Sequence, residues 1–254
     1  MKLFLSFIQV IYSIYAFVVF LSLMLLLFPF IVLASLFGKV KGGNLIYKLC
    51  TFWAQTCMLF WGMRHRNIYE APDDPDKPSI LVFNHSSYMD IPVIMCAFRR
   101  HRIRVLGKVE MSRIPIFGFI YRNAVVTVDR TDARHRAKSV SVMKQVLKKN
   151  ISIVIAPEGT FNMSDKPLKE FYDGAFRIAI DTQTPIKPVL FLDAYDRLHY
   201  KSIFSLTPGR SRAVFLTEMP VDGYSTADVA RLKQQVFTSM EKGLEKYQAS
   251  WIKK

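Results

Sequence analysis

Ile80-Leu81-Val82-Phe83-Asn84-His85-Ser86-Ser87-Tyr88-Met89-Asp90 is the stretch whose reading decides the fold of this chain. The apolar run at its start, bounded by polar turn residues, reads as a buried strand. Asp90-Ile91-Pro92 reads as the first turn of the following helix, where an acidic side chain suits the N-terminal dipole. Further along, a second apolar run at 151–155 ends in Ala156-Pro157-Glu158-Gly159-Thr160. Two polar motifs at the ends of two buried strands imply one site assembled from separated loops.

Working outward, short apolar runs at 80–83, 103–106, 125–128, 151–156, 188–192 and 213–216 read as strands. Helix-like stretches lie between them, near 89–98, 133–149 and 174–182. This alternation predicts an α/β fold, a mostly parallel sheet flanked by helices. A last amphipathic helix is expected over about 226–246, with Val229, Leu232, Val236, Met240 and Leu244 on one face. Ser225-Thr226-Ala227-Asp228 supplies a capping box, with Asp in place of Glu. The polar, proline-rich segment Ala71-Pro72-Asp73-Asp74-Pro75-Asp76-Lys77-Pro78 marks a boundary upstream of this domain.

What precedes that boundary is apolar. The chain has 254 residues, 51% of them hydrophobic, which fits a membrane segment followed by a medium-sized domain. Positions 3–38 carry no charged residue and are flanked by Lys2, Lys39 and Lys41. A span needs roughly 20 apolar residues, so one transmembrane helix fits with length to spare. Pro29 and the glycines within 38–43 offer natural breaks. A cleaved secretory signal is the alternative, but its apolar core runs to only about 7–15 residues. A second segment, 44–66, repeats apolar residues at helical spacing and places Trp53 and Trp61 for a membrane interface. It reads as the return arm of a helical hairpin, as a helix in the headgroup layer, or as a helix packed on the domain. Residues 1–70 are therefore expected to form an N-terminal hydrophobic helical membrane anchor, one span or a hairpin, with an interfacial helix. Residues 71–254 are expected to form the globular domain.

The formal net charge of +15 calls for an anionic partner, nucleic acid or anionic lipid. The uncharged N-terminus points to membrane lipids, and no nucleic-acid-binding module is present. The Lys and Arg excess after the anchor places the domain on the cytoplasmic face. Basic residues within 99–113 and 130–149 would hold it against anionic headgroups, although solvated helix faces account for some of them. Three cysteines without a CxxC pair, and five histidines without metal-like spacing, predict neither a disulfide framework nor a metal site.

The chemistry rests on few residues. A neutral imidazole can take a proton from a hydroxyl, and a carboxylate on its other nitrogen fixes the tautomer, so His85 with Asp90 can form a base and its orienting group. The same pair also fits a hydrogen-bonded surface pair, and Asp90 a helix start. Asn84 is expected to tie the turn together. In Glu158-Gly159-Thr160, glycine lets backbone approach a ligand, and Glu and Thr can bind hydroxyls; a tight turn with a solvated Glu fits equally. Arg130, after Val125-Val126-Thr127-Val128-Asp129, suits a phosphate, or a surface ion pair with Asp129 or Asp132. Lys108 suits a negative oxygen, or is one exposed lysine among many. No G-x-S-x-G elbow, Walker A loop, GxGxxG or HExxH is present, so an enzyme here would use a base without an evident covalent nucleophile.

Taken together, the chain resembles the glycerophosphate and lysophospholipid acyltransferases, in particular the 1-acylglycerol-3-phosphate acyltransferases. Asn84-His85 with Asp90 is similar to their NHx4D motif. Lys108-Val109-Glu110, Ile114-Pro115, Phe117-Gly118 and the close at Val128-Asp129-Arg130 are similar to the next block. Pro157-Glu158-Gly159-Thr160 and Pro185-Ile186-Lys187-Pro188-Val189 are similar to the third and fourth. The resemblance implies direct acyl transfer from acyl-CoA or an acyl-carrier protein to a lysophospholipid acceptor, giving phosphatidic acid, with no acyl-enzyme and no cofactor. It implies His85 as base, Asp90 as its holder, Lys108 at the oxyanion, and Arg130 with Glu158, Gly159 and Thr160 at the glycerol phosphate. In three places the chain departs from the family pattern. Phe161 stands where an Arg is usual, Phe171-Tyr172-Asp173-Gly174 lacks the lysine of FKxG, and Ala124 replaces a Gly. These departures leave open an acceptor with another headgroup, such as an amino-acid lipid. A lipid-binding protein without catalysis is the reading from another class.

Overall fold

The computed structural model of the chain describes residues 2–129 and 132–252. Among these residues, seven strands form one sheet. They are β1 (Met63–Tyr69), β2 (Ile80–Phe83), β3 (Ile103–Lys108), β4 (Val126–Val128), β5 (Ser152–Ile155), β6 (Ile186–Phe191) and β7 (Gly209–Phe215). The order across the sheet is β1-β7-β6-β2-β5-β3-β4. Every pairing is parallel except β6 with β7. The two central strands, β2 and β5, are buried along their whole length, as strands covered on both faces must be.

Helices cover both faces. On one lie α2 (Gly43–Phe60), α3 (Asp90–Ala97) and α4 (Phe117–Ala124); on the other lie α5 (Ala133–Leu147), α6 (Gly174–Thr182) and α8 (Val229–Lys246). The short α7 (Ala194–Arg197) follows β6. The split follows from chain direction. After β2 the chain crosses β5 to reach β3, whereas after β5 it crosses β2 to reach β6. Right-handed crossovers in opposite directions must use opposite faces, which opens a crevice between the C-terminal ends of β2 and β5. The predicted stripe of α8, Val229 to Leu244, is buried on β6 and α6. Ser225 and Asp228 form the expected reciprocal cap.

The N-terminal helix α1 (Lys2–Ser35) runs through Pro29 without a break, so that proline only leaves one carbonyl of the ladder without its N–H. The chain turns instead at the π-helical segment Gly38–Gly42. From there α2 returns antiparallel to α1: Trp53 Nε1–H donates to Phe20 O at 3.1 Å and Trp61 Nε1–H to Ala16 O at 3.0 Å. One helix among the described residues, over Ser6–Ser35, is long and apolar enough to cross a membrane. A hairpin is thus present, and its second arm also packs on α3 and α4.

Two expectations about the segment 44–66 need correction. Its helix ends at Phe60, because Gly62 adopts φ +57°, and Met63 to Arg66 belong to the edge strand β1, in register with Gly209 to Arg212 of β7. Apolar residues at helical spacing up to Met63 masked the strand, whose outward positions are polar. Trp53 and Trp61 do not face an interface either. Both are buried, since an indole N–H taken out of water needs an acceptor and the carbonyls of α1 supply it.

Candidate active site

The turn after β2 is held from several sides. Asn84 extends the ladder with its side chain: Nδ2–H donates to Phe191 O at 3.1 Å and Oδ1 accepts from Phe191 N at 2.8 Å, which joins the turn to β6. His85 N–H donates to Glu158 Oε1 at 2.8 Å, and His85 O accepts from Asn162 N at 2.7 Å. The loop after β5 therefore clamps the histidine backbone above and below.

Asp90, at the first turn of α3, is fully buried. Its Oδ2 accepts three hydrogen bonds, from His85 Nδ1–H at 2.7 Å, Ser86 N at 2.9 Å and Ser87 N at 3.0 Å. Closing the turn and holding the imidazole are therefore one act. A carboxylate can only accept, so Nδ1 carries the proton and the lone pair lies on Nε2. No hydrogen bond from a described residue reaches Nε2. The ring stands between Phe83, at 5.7 Å and 75°, and Phe161, at 4.5 Å and 69°. It remains 25% exposed, enough to meet a ligand in the crevice.

Glu158 is buried, and both of its oxygens are turned to backbone: Oε1 to His85 N and Oε2 to Lys169 N at 2.8 Å. Burial pushes its carboxyl up to about 7, the nearby Asp90 charge adding to the effect, while the two N–H groups pull the other way. Gly159 takes φ +74°, a backbone that a side chain would strain, and so turns the loop over the strand end. Thr160 is exposed and accepts from Lys169 Nζ at 2.7 Å. The residue that departs from the family pattern, Phe161, packs edge-on against both His85 and Tyr88, the latter at 4.9 Å.

Lys108 is exposed at the C-terminal end of β3, the same edge of the sheet but two strands from β2, a lateral step of about 10 Å. Arg130 lies outside the described residues; β4, which precedes it, ends at this edge too. The structure thus brings together His85, Asp90, Glu158, Gly159 and Thr160, with Lys108 at the rim. Asp173, the acid in the altered FKxG segment, points elsewhere: it accepts from Lys233 Nζ at 2.7 Å and ties α6 to α8. Sequence reasoning missed Lys169 and Asn162 as site members. Asn162 has a signal, since its Oδ1 accepts from Ser164 N at 3.0 Å in an Asx turn and the loop is rich in such residues. Lys169 has none, because its tie to Glu158 runs through the backbone.

The chain matches the acyltransferase family over residues 63–192, from the edge strand to the end of β6 and across the whole clamp around His85. It belongs to the acyltransferase family. Among relatives, it is 30% identical over 174 residues to an uncharacterized acyltransferase of Schizosaccharomyces pombe, covering 66% of this chain and 61% of that protein. It is 29% identical over 171 residues to the 1-acyl-sn-glycerol-3-phosphate acyltransferase alpha of Ovis aries, covering 65% and 58%. The chain thus spans about 60% of the length of these curated relatives. Its fold is that of the crystal structure of the 1-acyl-sn-glycerophosphate acyltransferase PlsC from Thermotoga maritima, with a TM-score of 0.74, 21% identity and full coverage of both chains.

Proposed function

We propose that this chain is a membrane-associated O-acyltransferase that moves an acyl group from acyl-CoA or an acyl-carrier protein to the free hydroxyl of 1-acylglycerol-3-phosphate. One observation carries the reading: the 2.7 Å bond from His85 Nδ1 to Asp90, which leaves Nε2 free to accept in the crevice. Nε2 takes the proton as the hydroxyl oxygen attacks the thioester carbonyl. The C–O bond forms, the C–S bond breaks, and the proton passes to the departing thiolate, so no acyl-enzyme is needed. Lys108 serves the negative oxygen of the intermediate, and Arg130 and Thr160 serve the acceptor phosphate and glycerol. Glu158 acts as a positioning residue, because both its oxygens already hold backbone. The catalytic domain, 71–254 together with the edge strand β1, works on the cytoplasmic face, next to the apolar hairpin formed by α1 and α2.

His85→Ala should leave the fold intact and lower turnover by about 10²–10⁴, as expected for a lost general base. Unchanged acyl transfer would overturn the assignment. A specific observation keeps a second acceptor in play: Phe161, at 4.5 Å from the imidazole, places an apolar ring where the family usually has a cation. A panel of lysolipids with labelled donor decides between them, and preference for a phosphate-free acceptor would defeat lysophosphatidic acid.

A further inference from the structure

A cavity of about 410 Å³ opens at the other end of the hairpin, beside the edge strand β4 and α5. Among the described residues, Lys39, Arg104, Arg122, Lys138 and Lys149 line it, and no Asp or Glu does. None of these five forms an ion pair with a described carboxylate. The most telling is Arg104, which is 5% exposed. Its guanidinium meets no described carboxylate: it lies over the Tyr47 ring, 5.3 Å from the centroid, and donates to Ile103 O at 2.7 Å, Lys39 O at 3.0 Å and Val40 O at 3.2 Å. A cation taken out of water without a counter-charge is costly, and an anion in the cavity would supply the missing partner. Gly43 makes room for the guanidinium itself, since a Cβ there would lie 2.4 Å from Arg104 Nη2.

The same turn identifies the anion's carrier. Lys39 follows closely on Ser35, where the apolar helix ends, so charge resumes directly after the apolar stretch. On the α1–α2 side of this turn an apolar groove of about 370 Å³ is lined by Phe30, Leu33, Phe37, Leu45 and Leu49, with Lys48 on its rim. A basic cavity beside an apolar groove fits an amphiphile better than a soluble ion. We propose that this end of the hairpin binds one anionic phospholipid, its phosphate in the Arg104 cavity and an acyl chain in the groove, at a site separate from the His85 crevice.

The test uses the full chain in a nonionic detergent, with bound lipid counted by native mass spectrometry. Dioleoylphosphatidylglycerol should be retained where dioleoylphosphatidylcholine is not. Lys138→Glu with Lys149→Glu should weaken that retention at least about 25-fold, near fivefold per charge. A control reversal elsewhere, Lys77→Glu with Lys242→Glu, should leave it unchanged. Equal retention of the two lipids, an equal loss in the control, or no loss in the paired variant would each overturn the site. Displacement of the lipid by millimolar inorganic phosphate or free CoA would overturn the lipid as occupant.

Discussion

Replacing Asp90 by Asn tests how the His85–Asp90 pair works, because the structure says which part of the carboxylate survives. Three donors converge on one oxygen, Oδ2. The N–H groups of Ser86 and Ser87 require an acceptor there, so the amide oxygen of Asn takes that position and its NH₂ takes the place of Oδ1, which has no partner among the described residues. Nδ1–H keeps its acceptor and the tautomer is preserved. Only the negative charge is lost. A charge facing a newly formed imidazolium at about 4 Å, at an effective dielectric of about 20, is worth about 4 kcal/mol. Turnover should therefore fall by two to three powers of ten, roughly 10²–10³, while stability shifts by no more than about 1–3 kcal/mol for the unpaired amide. The assay is thiol release from acyl-CoA in the presence of lysophosphatidic acid, with acceptor KM measured alongside, since the charge acts on chemistry and not on binding. A folded Asp90→Asn protein with kcat within a factor of roughly three of the parent would refute an imidazolium stabilised by this carboxylate.

Other perturbations separate support from chemistry. Because Glu158 is held at about 7, above its usual 4.5, the folded state binds the extra proton and stability drops as pH rises between those values. The gap between parent and Glu158→Gln unfolding free energies should therefore shift in favour of Gln by on the order of 3 kcal/mol from pH 4 to pH 8, as read by denaturant unfolding; a pH-independent gap would contradict it. Phe161→Ala removes the edge-on contact with the imidazole, so kcat should fall about three- to tenfold with little change in Tm, as expected for an aromatic contact of 0.5–1.5 kcal/mol acting on ring orientation. Asp173→Asn breaks partly exposed ties to Lys233 and Arg177, and should cost about 1 kcal/mol of stability or less and leave turnover unchanged; a loss of activity would return that acid to the site.

What could be read from the chain, and what could not, follows from how local each feature is. The strands β2 and β5 announce themselves because four buried residues in a row leave no other reading. The His85–Asp90 pair lies within five positions, so its contact depends on a single turn. β7 was legible only from Ala213 onward, because its first half carries Arg210 and Arg212. Their polarity is explained by Asp193, which Arg212 Nη2 meets at 2.8 Å across the β6–β7 connection. The same holds for Glu158: as one acid in a turn it suggests a ligand contact, and only the fold brings His85 N and Lys169 N to its two oxygens. Trp53 of α2 and Trp61 just beyond it went the same way, since their partners are carbonyls of another helix.

The hairpin and the crevice are also joined more tightly than an anchor and its cargo need be. Ser87, which lends its N–H to Asp90, donates its hydroxyl to Leu198 O, and that loop continues to Leu206, whose N–H donates to Ser13 Oγ of α1 at 3.2 Å. One position earlier, Ser205 O accepts from Gln9 Nε2 at 3.0 Å. The catalytic turn thus rests on a loop that rests on the apolar helix, through backbone groups that would be left unpaired if the helix were pulled away. On the same loop Ile203 and Phe204 are exposed, as is Tyr88 beside the imidazole, and they continue the bare apolar surface of α1 up to the crevice. For the acceptor and donor proposed above, this would place the His85 imidazole where a hydroxyl is presented from a lipid surface. A linker between the apolar helix and the domain would have served attachment equally well; direct packing serves registration, which is what the proposed transfer to a lipid hydroxyl requires.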